Sequence, residues 1–110
     1  MEPFTYKAKV IRVVDGDTFY ADIDLGFGLV FHNQGIRLYE VSAPERGNPG
    51  AIDSTEALKR FVADKIIVLR TLKDRKEKYG RWLGVVYVDG ENINERMVLD
   101  GFARKGSTKG

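Results

Sequence analysis

The chain contains no cysteine and a single histidine, His32, among its 110 residues. Disulfide frameworks, zinc–thiolate sites and cysteine nucleophiles are thereby excluded, and so is any centre built from several histidines. A metal ion, if one is bound, must be held by oxygen, which points to calcium, magnesium or manganese. No apolar run approaches the roughly 20 residues that cross a bilayer, so a transmembrane helix is excluded and no membrane partner is expected. Residues Met1 to Tyr6 show no basic stretch followed by an apolar one. Cytoplasmic location is therefore the default expectation, with export only where a leader has been removed. An excess of one charge is lacking too. The 18 Lys and Arg against 16 Asp and Glu leave +2, too little to argue for nucleic-acid binding from the total.

What remains is ordinary material for a folded domain: 43% hydrophobic and 31% charged residues. A chain of this length fits one domain with a modest core. We read residues 1–110 as that domain, with a core of about 4–104, a polar tail over 105–110 and a monomer as the default state. Phe4 to Val14 is rich in β-branched and aromatic residues and predicts a strand. Asp15-Gly16-Asp17 supplies a turn, and Thr18 to Ile23 a second strand. Leu29 to Phe31 and Ile36 to Val41 predict two further strands, separated by turn residues at Asn33 to Gly35. Asp53, with Glu56 three residues later, predicts a helix N-cap, and Leu58, Phe61 and Val62 share one face of about three helical turns. Ile66 to Leu72 returns to strand character and Lys73 to Gly80 predicts a charged loop. Arg81 to Val88 is a strand closed by an Asp89-Gly90 hairpin turn. Asn94 is expected to cap a short helix that Gly101 ends. Strands in this order with an inserted helix suggest a small mixed barrel.

Hydrolysing a phosphodiester requires cations to meet charge on the phosphate oxygens and a carboxylate to orient the attacking water. A metal ion can share both tasks. Three segments carry residues of that kind. Val13 to Thr18, VVDGDT, sets two carboxylates around a glycine at a turn, a suitable place for a hard cation. Ile36 to Glu45, IRLYEVSAPE, puts Arg37 in a strand and Glu45 just past its end. Lys78 to Arg81, KYGR, puts a cation after a glycine turn. Each alone is matched by a bland reading: an acidic turn, a strand-surface arginine, a solvated loop.

In this order and spacing, DGDT, IRL…APE, a capped helix, KYGR, INE and DGFA together resemble the staphylococcal nuclease (thermonuclease) family, over approximately Lys9 to Arg104. The resemblance implies a mainly β, α+β fold: a five-stranded OB-type barrel with two short packed helices, lacking the family's third, C-terminal helix. It implies calcium-dependent hydrolysis of DNA or RNA to 3′-phosphate products. Residue by residue, Asp17 matches the metal-ligand aspartate and Asp15 a carboxylate supporting it from behind. Ala43 falls where a backbone carbonyl reaches the metal. Arg37 matches the arginine that grips the scissile phosphate, Glu45 the glutamate that positions the attacking water as general base, and Arg81 a second arginine that meets transition-state charge. Lys78 and Tyr79 match residues that contact a terminal phosphate of the nucleotide.

The pattern breaks at Ser42, where active relatives carry an aspartate ligand. A hydroxyl offers only a neutral oxygen, so a calcium site here has one negative charge fewer and a weaker expected affinity. Glu40, two residues earlier, reads as a solvated strand residue. Trp82 is expected to pack on the opposite side of its strand from Arg81, and His32 is given no role. With no third helix, the tyrosine wall of the family's pocket is represented chiefly by Tyr79. An active nuclease is the first reading. The alternatives are a nucleic-acid or protein-binding module on the same barrel, and a domain completed by a partner chain.

Overall fold

Alternation sets the barrel. In the computed structural model, which describes residues 4–76 and 78–106 (residues 73–75 by their backbone), β1 (Thr5–Asp15) turns Ala8 and Val10 inward, and β2 (Thr18–Gly26) turns Phe19, Ala21 and Ile23 inward. β3 (Leu29–Leu38) contributes Ile36 and Leu38. After β4 (Val41–Ser42) and α1 (Ala51–Val62), β5 (Ile66–Lys76) adds Ile67 and Leu69, and β6 (Trp82–Val88) adds Val86. These side chains form one core with Leu58 and Val62 of α1 and with Ile93 and Met97 of α2 (Ile93–Leu99). A period-two pattern with one apolar face buries that face against whatever covers it; here the sheet covers itself.

The sheet runs β3-β2-β1-β5-β6, antiparallel throughout, and closes where β3 and β6 pair in parallel. The closing register is Ile36 to Trp82, Arg37 to Leu83 and Leu38 to Gly84. The result is a closed five-stranded mixed barrel with two helices, as the resemblance implied. Two short pairings extend it: β7 (Glu91–Asn92) on β6, and β8 (Arg104–Lys105) on β4. The Gly106 amide donates to the Glu40 carbonyl at 3.0 Å, so the chain is held past the expected core boundary; residues 107–110 lie outside the described residues. Among the described residues no helix is long and apolar enough to cross a membrane.

Several local expectations are corrected. The strands expected at Leu29 and Ile36 are one continuous β3. Asn33 takes a left-handed φ of 54° and its amide donates to Asp22 Oδ1 at 2.8 Å, which makes an irregularity rather than a break. That strand ends at Leu38, and Tyr39-Glu40 turn into β4, with Glu40 at φ 54°. The charged segment after Leu72 is not all loop. β5 continues to Lys76, which pairs with Trp82 and sets its ammonium 4.9 Å from the indole centre, so cross-strand contact overrides a polar composition. Trp82 is half-buried, edge-on to Phe31 and donating to Gln34 Oε1 at 3.1 Å.

Both helix caps differ from expectation. The N-cap of α1 is Gly50, at φ 86° with no side-chain cap; Asp53 sits inside the first turn, where it still complements the helix dipole. Glu56 pairs with Lys59 at 3.2 Å rather than reaching back. The cap of α2 is Asn92, whose side chain accepts from the Glu95 amide at 3.0 Å. Asn94 is instead buried. It accepts from the Val86 amide at 3.0 Å and donates to the carbonyls of Gly84 at 3.0 Å and Tyr39 at 3.1 Å. One amide thus ties α2 to β6 and to the turn after β3, beside the barrel's closing seam. Gly101, at φ 79°, follows the end of α2 as expected.

Asn94→Ala is expected to cost about 2–4 kcal/mol in urea unfolding, because it orphans buried backbone groups. Asn92→Ala removes one exposed cap bond and is expected to cost about 1 kcal/mol. Equal losses in the two variants would contradict this account of Asn94.

Candidate active site

The two-residue turn Gly16-Asp17 joins β1 to β2 and aims Asp17 at the seam where β3 passes into β4. The Asp17 residue is 9% exposed. A carboxylate that far from water needs partners or it takes up a proton. Asp17 has them on both oxygens. Oδ2 meets Arg37 Nη1 at 2.6 Å and accepts from the Ala43 amide at 2.9 Å, while Oδ1 accepts from the Thr18 hydroxyl at 2.9 Å. Arg37 Nη1 also donates to the Val41 carbonyl at 2.8 Å. These printed contacts all use one terminal nitrogen, so the rest of a planar five-donor fork is oriented without being engaged among the described residues.

Arg81, just before β6, reaches the same cluster by donating to the Thr18 hydroxyl at 3.1 Å. It crosses over Gly35, where a side chain would put a Cβ 3.0 Å from Arg81 Cγ and 3.4 Å from the Tyr20 ring. Gly35 therefore serves to leave room for Arg81, whereas the sequence offered it only as turn punctuation. Arg81 also lies 5.4 Å from the centre of the Tyr79 ring, and the Lys78 ammonium lies 5.0 Å from that same ring. Tyr79 is 71% exposed and offers one aromatic face between two cations.

Asp15 stands behind Asp17: its Oδ1 accepts from the Asp17 amide at 3.1 Å. Burial, reinforced by the neighbouring Asp17 carboxyl, pushes the Asp15 carboxyl up to about 6, against the lowering effects of the Asp17 amide and of Arg37. Asp17, Asp15, Arg37, Ala43, Arg81, Tyr79 and Lys78 thus form one connected cluster, with Thr18 as the hinge the sequence did not single out. Two expected members stand beside it rather than in it. Ser42 precedes Ala43 in β4, and its hydroxyl makes no hydrogen bond among the described residues. Glu45 is exposed on the loop before α1; its carbonyl accepts from the Asn48 amide at 3.0 Å, and its carboxylate is unengaged among the described residues. His32 lies apart, 3.3 Å from Asp22. Glu40 faces a different pocket, with Tyr39, Asn92 and Leu99.

The donors available to a metal ion are all oxygen: the Asp17 and Asp15 carboxylates, the Ser42 hydroxyl and the Ala43 carbonyl. Among the described residues no three acidic or histidine side chains come together as a metal-holding group. Such a set suits a hard cation that keeps solvent among its ligands, and its chemistry fits calcium better than a transition metal.

Comparison with known proteins places the chain in a family. A family model described as "Staphylococcal nuclease homologue" matches residues 35–109. The chain belongs to the staphylococcal nuclease family. That match includes Arg37, Ser42, Glu45 and Arg81, and begins after Asp15 and Asp17. Within the family, the chain is 32% identical over 102 residues to the thermonuclease of Staphylococcus hyicus, covering 87% of this chain and 57% of that protein. It is 36% identical over 96 residues to an uncharacterized endonuclease of Escherichia coli O157:H7, covering 86% of this chain and 58% of that one. Endonuclease YncB of Bacillus subtilis is 32% identical over 103 residues, covering 84% of this chain and 44% of its own. The chain therefore spans somewhat over half the length of the first two family members.

The turn carrying Asp17 is locked from behind. A Cβ at Gly16 would stand 1.8 Å from Ser54 Oγ of α1 and 2.8 Å from the Ala43 Cβ, so this glycine is required by close approach rather than by its turn. Ser54 Oγ is itself buried with no hydrogen-bond partner among the described residues. Gly16→Ala is expected to lower unfolding free energy by about 1–3 kcal/mol through overpacking. Ser54→Ala removes an unsatisfied hydroxyl and adds helix propensity, so its stability is expected to hold or rise. Chemical denaturation of both variants checks this; a Gly16→Ala protein as stable as the parent contradicts the interlock.

Proposed function

We propose that this domain is a calcium-dependent nuclease that hydrolyses phosphodiester bonds of DNA or RNA and leaves 3′-phosphate ends. The observation that carries the reading is the convergence of two guanidinium groups, Arg37 and Arg81, on the single Asp17–Thr18 unit at 2.6 and 3.1 Å. Cations gathered around one point suit a reaction whose transition state accumulates charge on phosphate oxygens. The membership of the chain in a family alongside a thermonuclease and endonucleases supports it.

In this proposal Asp17, with the Ser42 hydroxyl and the Ala43 carbonyl, holds the calcium ion, and Asp15 supports Asp17 from behind. Bound there, calcium supplies Lewis-acid polarisation of a phosphate oxygen. Arg37, oriented by Asp17 and the Val41 carbonyl, presents its remaining N–H groups to the scissile phosphate in the planar fork geometry that suits two oxygens at once. Glu45, whose carboxylate is exposed and unengaged among the described residues, positions water and accepts its proton. Arg81, stacked beside Tyr79 and held by Thr18, meets the charge that develops on the equatorial and leaving oxygens. Lys78 and Tyr79 receive a terminal phosphate of the bound nucleotide. Ser42, being neutral, makes the proposed calcium affinity lower than an aspartate would give.

Single-stranded DNA incubated with the protein in millimolar calcium is expected to be cut, and excess chelator to stop the cutting. Arg81→Ala is expected to slow it by about 10²–10³-fold, the usual cost of one positioned donor to transition-state charge. Cutting that survives both chelator and Arg81→Ala would overturn the site. No cutting by a folded protein that still binds the DNA would favour the non-catalytic module instead.

A further inference from the structure

The β4–β8 pairing brings an additional cation to the edge of this site. Its register sets Val41 opposite Lys105 and Ser42 opposite Arg104. Directly opposed residues of an antiparallel pair carry their side chains on the same face. Arg104 and Ser42 accordingly line one cleft of about 580 Å³, between the loop before α1 and the turn after α2, together with Ala43, Asn48 and Phe102. Ala43, whose amide holds the Asp17 carboxylate, thus has the cleft as its other neighbour.

Among the described residues Arg104 is the sole charged residue lining this cleft. It is exposed, and among the described residues it makes no ion pair or side-chain hydrogen bond. Two neighbouring arginines are already engaged: Arg37 on Asp17 at 2.6 Å, and Arg96 on Glu91 and Asp100 at 2.6 and 2.7 Å. Asp100, the nearest acid in sequence, is turned to Arg96 and does not line the cleft. The residue that faces Arg104 across the strand pair is the neutral Ser42. A cleft that opens beside the Asp17 cluster, with one unpaired guanidinium and no carboxylate, has the charge that a phosphate needs.

We infer that Arg104 is a substrate-binding residue, gripping a phosphate of the nucleic-acid strand that neighbours the scissile one, with the neutrality of Ser42 keeping its guanidinium available. This rests on the nuclease reading for the identity of the strand and extends the site beyond the cluster around Asp17. An aspartate at position 42 would instead face Arg104 as a counter-ion and compete with phosphate for it.

The test is binding of a fluorescein-labelled ten-nucleotide thymidine strand, measured by anisotropy in chelator across a salt series. Arg104→Ala is expected to weaken binding at low salt and to lower the slope of log affinity against log salt by about 0.7, the share of one single-strand phosphate contact. Arg104→Lys retains the charge and is expected to keep most of the slope. Ser42→Asp is expected to weaken binding as well, and to have no further effect once Arg104 is alanine. Unchanged affinity and slope in Arg104→Ala would overturn the inference, as would a Ser42→Asp effect that persists at full size without Arg104. Calcium-dependent cutting, assayed separately, keeps the two readings apart. A protein that binds through Arg104 without cutting retires the nuclease alone, and one that cuts with Arg104→Ala indistinguishable from the parent retires Arg104 alone.

Discussion

A carboxylate removed from water is the constraint on which the site end of this barrel depends. Asp17 is buried, and Arg37, the Ala43 amide and the Thr18 hydroxyl surround its two oxygens. Those partners come from β3, from the segment following β4 and from the first residue of β2. Each is placed by the barrel: β2 and β3 by their antiparallel register, in which Thr18 faces Arg37, and β3 by its parallel closure on β6. Burying the charge and closing the barrel are therefore one event. Removing a single partner from a buried ion pair typically costs about 3–5 kcal/mol, which makes the charge cluster as much a structural element as a chemical one.

The two arginines are positioned by unlike means, and the difference is chemical. Arg37 is half of an ion pair and shares its nitrogen with the Val41 carbonyl, so its direction is fixed. Arg81 is steered by a neutral hydroxyl, a glycine that yields space and an aromatic face. A guanidinium held by an anion has its direction fixed by charge; one bonded to a hydroxyl beside a ring is steered by geometry and packing. Placed together, they bring two planar donor groups to one Asp17–Thr18 unit by independent routes.

Much of this was legible in the sequence where the information is local. The β-branched and aromatic run Phe4–Val14 and the segment Thr18–Ile23 predicted strands that the barrel contains, the Asp15-Gly16-Asp17 and Asp89-Gly90 turns fell where expected, and the set of motifs identified the family. What escaped was non-local. Nothing beside Asn94 in the chain indicates that its amide will meet carbonyls of Tyr39 and Gly84, so its position before an apolar run read as a cap. Gly35 was legible as a glycine, but its purpose depends on a side chain that arrives from a distant strand. Thr18 appeared as the last letter of a metal-binding motif, and its bond to Arg81 belongs to the folded state alone. Asp53 looked like a cap because Glu56 follows it, yet Gly50 reached the left-handed conformation that began the helix earlier.

The contact between Gly16 and Ser54 carries a consequence of another kind. With no spare volume between the turn and the first helix, positions 16 and 54 share a single allotment of space. Lineages of this domain can enlarge one only by shrinking the other, and a helix that settles inward by a fraction of an ångström has the Asp17 turn as its first obstacle. The Asp17 turn and the packing of α1 are thereby obliged to evolve as a pair, so the history of the turn should be written partly in the helix behind it.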